Sequence, residues 1–413
     1  MEENKQINVD VCIVGAGPAG MMLGLLLAHQ GIKVLVLEHH KNFDREYRGE
    51  VLMPRFTQIL RQLNLFDFIE TYPHLKLNHI EGHFKNWRIA DIKFSQISSE
   101  VPFAIWMSQP TLLGALNDKA KKYSNFDIWF GVSVHGLIKE GARTLGVKVQ
   151  REGEAIDIRA SVTVGADGRS SMIRKFGQFE MENEDYQFDV IWFTVTKPTG
   201  YDNTVRFFLS PRRNYLILPK LPNLIQCGML LPKGAFSQYR QQGIESMRKE
   251  LLSAPSVLHP FARDLKDFSV FNVLQARTCF VKEWAKEGCL LIGDAAHTCS
   301  PVGAIGVSVA VATAIVAADV VTQAIRKGDV SASVLNEVQR RREKDVREIQ
   351  RIQKKLAGNV FSNNAIVRFF VPFLMFLLIK THIFHRLQRR LMVMKEPLPI
   401  DPCQIGMDQP PAF

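Results

Sequence analysis

The stretch that most constrains this chain is Val11 to Gly24, VCIVGAGPAGMMLG, followed by VLVLE ending at Glu38. An apolar run, a glycine turn, a helical run and a second apolar run predict a strand–turn–helix–strand unit of the kind that holds a dinucleotide pyrophosphate. Each glycine has its own reason. Gly15 permits the tight turn out of the strand, Gly17 lets backbone N–H groups approach an anion, and Gly20 lets the helix press on the sheet. Pro18 and Ala19 complete the loop, and Gly24 extends the small-residue face. The anion then sits at the positive end of the helix. Glu38, with His39 beside it, ends the second strand where a carboxylate can accept bonds from ribose hydroxyls. An acid there disfavours a 2′-phosphate, so the unit points to the ADP-ribose part of FAD or NAD rather than NADP.

At 413 residues the chain is long enough for two intertwined domains, and with 46% hydrophobic and 23% charged residues it is ordinary globular material. The formal charge of +11 lies largely in Arg340 to Lys355 and Arg386 to Lys395, without the aromatic interleaving of single-strand binders. No nucleic acid partner is expected; the basic face is either solvated or turned toward a membrane surface. The six cysteines form no CxxC pair or metal-ligand spacing, so no metal site is expected and a reducing cytoplasm fits. The polar N-terminus, MEENKQINVD, predicts no cleaved export signal.

Further along, Pro54 to Phe68 reads as a helix, Leu77 to Ile97 as strands, and Trp106 to Ala120 as a helix entered through Ser108-Gln109-Pro110. From Phe179 to Phe280 alternating segments separated by turns predict an antiparallel sheet, with one amphipathic helix near Phe236 to Ser253. The continuous apolar strand CLLIGD and a long apolar helix from Gly306 to Ile325 then resume the parallel style. The expectation is an α/β chain whose nucleotide domain (1–76, 101–178 and 281–330) is interrupted by a sheet domain (77–100 and 179–280) and followed by a helical segment (331–413). Ser331 to Leu356 reads as a surface helix over a groove. Phe369 to Ile379 is an apolar run too short to span a bilayer. It packs on the body or, with its basic flanks over 366–395, touches a membrane surface.

Three separated segments, Gly15 to Gly20 with Glu38, GADGRSSMIR from Gly165 to Arg174, and GDAAHTCSPVGAIG from Gly293 to Gly306, together resemble the single-component FAD-dependent aromatic hydroxylases, the para-hydroxybenzoate hydroxylase-like flavoprotein monooxygenases. The resemblance covers the chain to about Gly358. It implies a Rossmann-like FAD-binding domain interrupted by an antiparallel substrate-covering sheet. Carried over by position, Gly15, Gly17, Pro18, Ala19, Gly20, Glu38 and His39 serve the ADP part, and Arg48 and Gln109 the pyrophosphate and ribityl regions. Asp167 and Gly168 match a turn associated with FAD and the nicotinamide, with Arg169 and Arg174 as phosphate partners. Asp294 matches a ribityl-binding carboxylate, and Pro301, Gly303, Ala304 and Gly306 lie beside the isoalloxazine ring. Independently of the resemblance, a strand ending in Gly293-Asp294 puts a carboxylate at the ligand-binding edge of an open sheet, and the following turn aims a helix N-terminus there. The chain departs from the family where many members have a second glycine, an asparagine and later an aspartate; here stand Ala304, Ser308 and Thr313.

The activity so implied is NAD(P)H- and O2-dependent hydroxylation of an aromatic or otherwise electron-rich hydrophobic small molecule through a C4a-hydroperoxyflavin, with FAD as cofactor and NAD(P)H as reductant. A homodimer is a further candidate, and the implied location is cytoplasmic or peripheral to a membrane. The alternatives are a reductase or dehydrogenase of the same fold acting on a lipid or isoprenoid double bond, and a non-catalytic FAD-binding protein. A flavin halogenase is disfavoured because Tyr215 to Pro219, YLILP, is no WxWxIP-like run. His297 reads as a structural histidine, and His39-His40 has no partners at metal-ligand spacing. Trp192, Phe207, Phe208 and Leu216 read as pocket lining or sheet core. No catalytic acid or base is assigned.

Overall fold

The computed structural model describes residues 5–44, 50–84, 87–210, 212–360, 382–394 and 396–398. Arg48, the Phe369–Ile379 run and Cys403 lie outside the described residues, as does most of 366–395 apart from the helix His382–Met392 and the residues just after it.

The α/β fold expected from the sequence is the one observed. The first sheet runs, in order, Ala285–Lys286, Cys289–Leu291, Glu154–Gly165, Lys5–Val14, Val34–Leu37 and Phe126–Trp129, with Arg143–Arg151 and Ser133–Glu140 branching from Glu154–Gly165. Its central pairs are parallel, and Val11 to Val14 and Val34 to Leu37 are buried throughout, as continuous apolar strands are when both faces of a sheet are covered. Strands from three remote stretches of sequence therefore lie side by side. The helix Pro18–His29 packs on this sheet, and Gly306–Lys327 packs on that helix. Gly306–Lys327 is, among the described residues, the one helix long and apolar enough to cross a membrane, and it lies buried in the core.

The second sheet runs His297–Thr298, Asn272–Val281, Met181–Thr196, Leu224–Pro232, Asn214–Lys220, Val205–Leu209, His79–Phe84 and Trp87–Lys93. Period-two alternation divides its side chains. Phe193, Ile217 and Cys227 pack under the helices Ala235–Gln242, Ile244–Leu252 and His259–Asp264, whereas Trp192 and Leu218 join the core of the nucleotide sheet. A small third sheet, in the order Val51–Leu52, Ala104–Trp106 and Leu75–Leu77, is built from chain between the first-sheet strands Val34–Leu37 and Phe126–Trp129.

Three helices expected to be continuous are broken. Pro54 to Phe68 becomes Pro54–Gln62 and Phe66–Glu70, because Asn64 takes the left-handed conformation at φ +54°. Phe236 to Ser253 becomes two helices at Gly243, φ +84°, and Ser331 to Leu356 becomes Ala332–Leu335 and Glu337–Val360 about Asn336. In each case the apolar period continues through the break, so periodicity alone does not reveal it. The five described cysteines are buried and unpaired, so none forms a disulfide within the described chain.

Candidate functional site

The glycine turn closes as its spacing requires. Gly15 sits at φ +106°, and a Cβ there would stand 2.5 Å from the Ala166 carbonyl oxygen. A Cβ on Gly20 would overlap the Gly15 carbonyl oxygen, so the helix can begin here only without one. Gly17 caps the helix, Pro18 occupies its first position, and no acidic residue lies in the first turn to oppose an anion. Glu38 is buried. Its Oε2 accepts the Ala16 N–H at 2.9 Å and its Oε1 the His40 N–H at 3.0 Å. The carboxylate thus fixes the turn and the end of its own strand together. His39 is exposed, with Nδ1 3.4 Å from the Ser133 hydroxyl.

The second segment meets the first at Ala166 and the third at its arginines. Arg169 pairs with Asp294, Nε to Oδ2, at 3.5 Å. Arg174 is buried and donates to the carbonyls of Ala295 at 2.9 Å and Arg169 at 2.5 Å. Its hydrogen bonds go to main chain, which makes it a tie between the two loops. Asp167 is likewise occupied: its carboxylate accepts from the Ser171 hydroxyl and from the N–H groups of Met172 at 2.6 Å and Ile173 at 3.1 Å, capping the helix Met172–Phe176. Burial pushes its pKa up against those bonds. Gly168 follows at φ +78°.

The third segment returns to the first. Gly293, φ +57°, faces both helices, since a Cβ there would stand 3.0 Å from the Ala19 Cβ and 3.5 Å from the Ala310 Cβ. The turn after Pro301 carries Gly303 at φ +83° and Ala304 at φ +52°, before the helix begins at Gly306. Ala304 occupies the left-handed region that glycine enters without strain, which is the physical reason a glycine would be preferred there. Ser308, in the first helical turn, is 1% exposed with no hydrogen-bond partner for its hydroxyl among the described residues. Thr313 accepts from His297: its own hydroxyl donates to the Val309 carbonyl, so His297 holds its proton on Nε2, 2.9 Å away. His297 is buried against Trp284, and burial pushes its pKa down to about 3. It is a neutral structural histidine.

Sequence reasoning missed the groups that hold this region from outside. Gln353 is fully buried; its Nε2 donates to the carbonyls of Ser300 and Val302, and its Oε1 accepts the Ser300 N–H at 3.1 Å. Three residues earlier, Gln350 donates to Cys279 and Thr298 carbonyls. The helix read as covering a groove therefore clamps the turn that precedes Gly303. The signal was two glutamines at i and i+3 beside Ile349 and Ile352. Leu391 of the helix His382–Met392 also reaches this turn, 4.0 Å from where a Gly303 Cβ would stand. Gln109 opens its helix with its backbone at the buried Glu50 carboxyl, whose pKa burial raises although Lys220, 3.5 Å away, pulls it down.

Of the four residues expected as pocket lining or sheet core, three share a face. Phe207 pairs with Leu216, Leu216 with Gly228 and Gly228 with Trp192, so Trp192, Phe207 and Leu216 point toward the nucleotide sheet. Phe208 points the other way and stacks on His83 at 4.9 Å.

The geometry suits a dinucleotide: two helix N-termini, a turn that side chains cannot fill, a buried carboxylate behind it and an orphaned hydroxyl beside the second helix. The described residues contain no cluster of His, Cys, Asp or Glu able to hold a metal ion. Comparison with known proteins agrees. The family model described as FAD binding domain matches residues 8–351. The chain is similar to 6-methylpretetramide 4-monooxygenase of Streptomyces rimosus, 28% identical over 386 residues, 93% of this chain and 92% of that protein. It is 23% identical over 351 residues to digeranylgeranylglycerophospholipid reductase 2 of Methanococcoides burtonii, covering 79% of this chain and 78% of that one. Its fold superposes on p-nitrophenol 4-monooxygenase PnpA of Pseudomonas putida DLL-E4 with a TM-score of 0.78 at 19% identity, covering 94% of this chain and 97% of that one.

Proposed function

Because this chain belongs to the FAD-binding family of para-hydroxybenzoate hydroxylase-like flavoprotein monooxygenases, and is thereby an FAD-dependent oxidoreductase, we propose that it hydroxylates a hydrophobic aromatic small molecule using NAD(P)H and O2. The observation that carries this reading is the convergence of the three remote segments on one turn: Gly15 against Ala166, Arg169 against Asp294, and Gly293 against Ala19. FAD, once bound and reduced, supplies the activation of O2 and the transfer of one oxygen atom.

The chain's own residues bind, orient and exclude water. Gly15, Gly17 and Gly20 with Pro18 and Ala19 leave the helix N–H groups open to the pyrophosphate. Glu38 serves the adenosine ribose, with His39 at its exposed margin. Asp294, oriented by Arg169, serves the ribityl chain beside Gln109 and the Asp167-Gly168 turn. The turn Pro301 to Gly306, held by Gln353, brings a helix N-terminus to the ring, where it favours negative charge on the reduced form. The sheet's inner face, with Trp192, Phe207 and Leu216, covers the substrate and keeps water out. Domain boundaries at 1–76, 101–178 and 281–330 against 77–100 and 179–280 fit this division of labour.

The test is an absorption spectrum of purified protein followed through anaerobic NAD(P)H addition and re-aeration with phenols present. Bleaching of a flavin spectrum, then oxygenated product on re-aeration, is expected. Likeness to the Methanococcoides reductase supports a second reading, reduction of a lipid or isoprenoid double bond; product formed without O2 would favour it. Protein that stays colourless in excess FAD would overturn both.

A further inference from the structure

The inner face of the second sheet holds a fully buried amide side chain. Gln226 pairs in register with Leu218 on one side and Thr194 on the other, one row along from Leu216, Gly228 and Trp192. It is 1% exposed, and its Oε1 has no hydrogen-bond partner among the described residues. A buried acceptor left unmet costs roughly 1–3 kcal/mol. Its buried neighbours on this face are apolar, as in Val190, Val205 and Leu218.

The neighbouring row is incompletely covered. Leu216 and Phe207 are only half-buried although they face inward, while the Trp192 ring covers Gly228, beside Leu216 in the same row, 2.7 Å from where a Cβ would stand. Charge on this face is equally informative. Among the described inward positions of Phe188 to Thr196, Val205–Leu209, Asn214–Lys220 and Leu224–Pro232, the ionisable side chain is Lys220, and it is paired with the buried Glu50 at 3.5 Å. That pair is neutral in sum. A carboxylate brought to this face would lose its hydration without meeting an uncompensated cation.

We propose that Gln226 is a substrate-positioning residue whose amide meets a hydroxyl of a neutral aromatic substrate, and that this sheet face selects uncharged phenols over aromatic carboxylates. The proposal rests on the monooxygenase reading and adds to it the substrate's charge and the group that orients it. An amide offers both an acceptor and a donor, so it can satisfy a phenolic O–H or an adjacent carbonyl without proton transfer.

The experiment is equilibrium binding to FAD-loaded full-length enzyme at pH 8, followed by flavin fluorescence, with three probes: 1-naphthol, 1-methoxynaphthalene and 1-hydroxy-2-naphthoate. In the unaltered enzyme 1-naphthol is expected to bind about tenfold tighter than either of the others. Gln226→Leu should erase the advantage of the phenol over the ether while leaving ether affinity and FAD content within error, and should raise the melting temperature of the ligand-free enzyme because the unmet acceptor is gone. Gln226→Asn should restore part of it. A purely structural Gln226 would instead weaken phenol and ether together and lower the melting temperature, and that overturns the assignment. So does a carboxylate that binds as tightly as the phenol, an unchanged preference in Gln226→Leu, or no binding of any probe. Protein that takes up no FAD sinks the monooxygenase reading as well; FAD-loaded enzyme lacking the preference sinks this inference alone.

Discussion

At single residues, the site's behaviour depends on which atoms have no room to change. Gly20→Ala must drive its methyl into the Gly15 carbonyl oxygen, so we expect FAD to be lost on gel filtration, with the apoprotein's far-ultraviolet circular dichroism largely kept. Ala304 runs the other way. A left-handed alanine costs roughly 1 kcal/mol, and glycine gives back most of that in unfolded-chain entropy, so Ala304→Gly should leave stability within about 1 kcal/mol and slow FAD release. Faster release would show that the methyl contributes packing that outweighs its strain. His297 sets a pH response. Its folded pKa of about 3 lies below the ordinary 6.5, so the unfolded chain binds the extra proton first. Its contribution is therefore absent above pH 6.5 and erodes stability as pH falls from 6.5 toward 3, at up to about 1.4 kcal/mol per pH unit. Denaturant titrations between pH 7 and pH 4 should show that slope flattened in His297→Gln.

Among elements, the helices are positioned by what interrupts and clamps them. Gly243, between Ala235–Gln242 and Ile244–Leu252, has φ +84° and ψ 168°, with nothing within 4 Å of where a Cβ would stand. Gly243→Ala should cost about 1–3 kcal/mol from backbone strain alone, measurable as a lowered urea midpoint with unchanged m-value. Gln353→Leu tests the clamp. Removing it strands the Ser300 N–H and two carbonyls, which should destabilise by about 3 kcal/mol and weaken FAD binding, since the strap it holds leads into Gly303. Unchanged FAD affinity would mean the turn keeps its shape without the helix Glu337–Val360.

Over the whole molecule, the cradle belongs to no single stretch of chain. The strand Lys5–Val14 pairs with Glu154–Gly165, that strand pairs with Cys289–Leu291, and the two arginines tie the intervening loops. FAD should therefore stabilise all three blocks at once. At a hundredfold over its dissociation constant it adds about 2.7 kcal/mol, and calorimetry should show one transition moving up with FAD concentration. Two transitions, of which one is indifferent to FAD, would show that the blocks unfold apart.

The amino-acid sequence by itself determined the nucleotide unit, the α/β class, the alternation of the second sheet and the order of the three segments, because each is written in neighbouring residues: glycine spacing, an acid at a strand end, a period of two. Helix breaks at Asn64 and Asn336 were not written there, since the apolar period runs straight through them. Nor were the partners of Arg174, Asp167 and Gln353, whose hydrogen bonds go largely to backbone groups and, for Arg174 and Gln353, to loops that sequence spacing does not bring near. Only the tertiary structure decided that Trp192 and Gln226 share an inward face while Phe208 turns outward. Register fixes which side of a sheet a residue takes, and register is settled by pairing with strands far away in the chain.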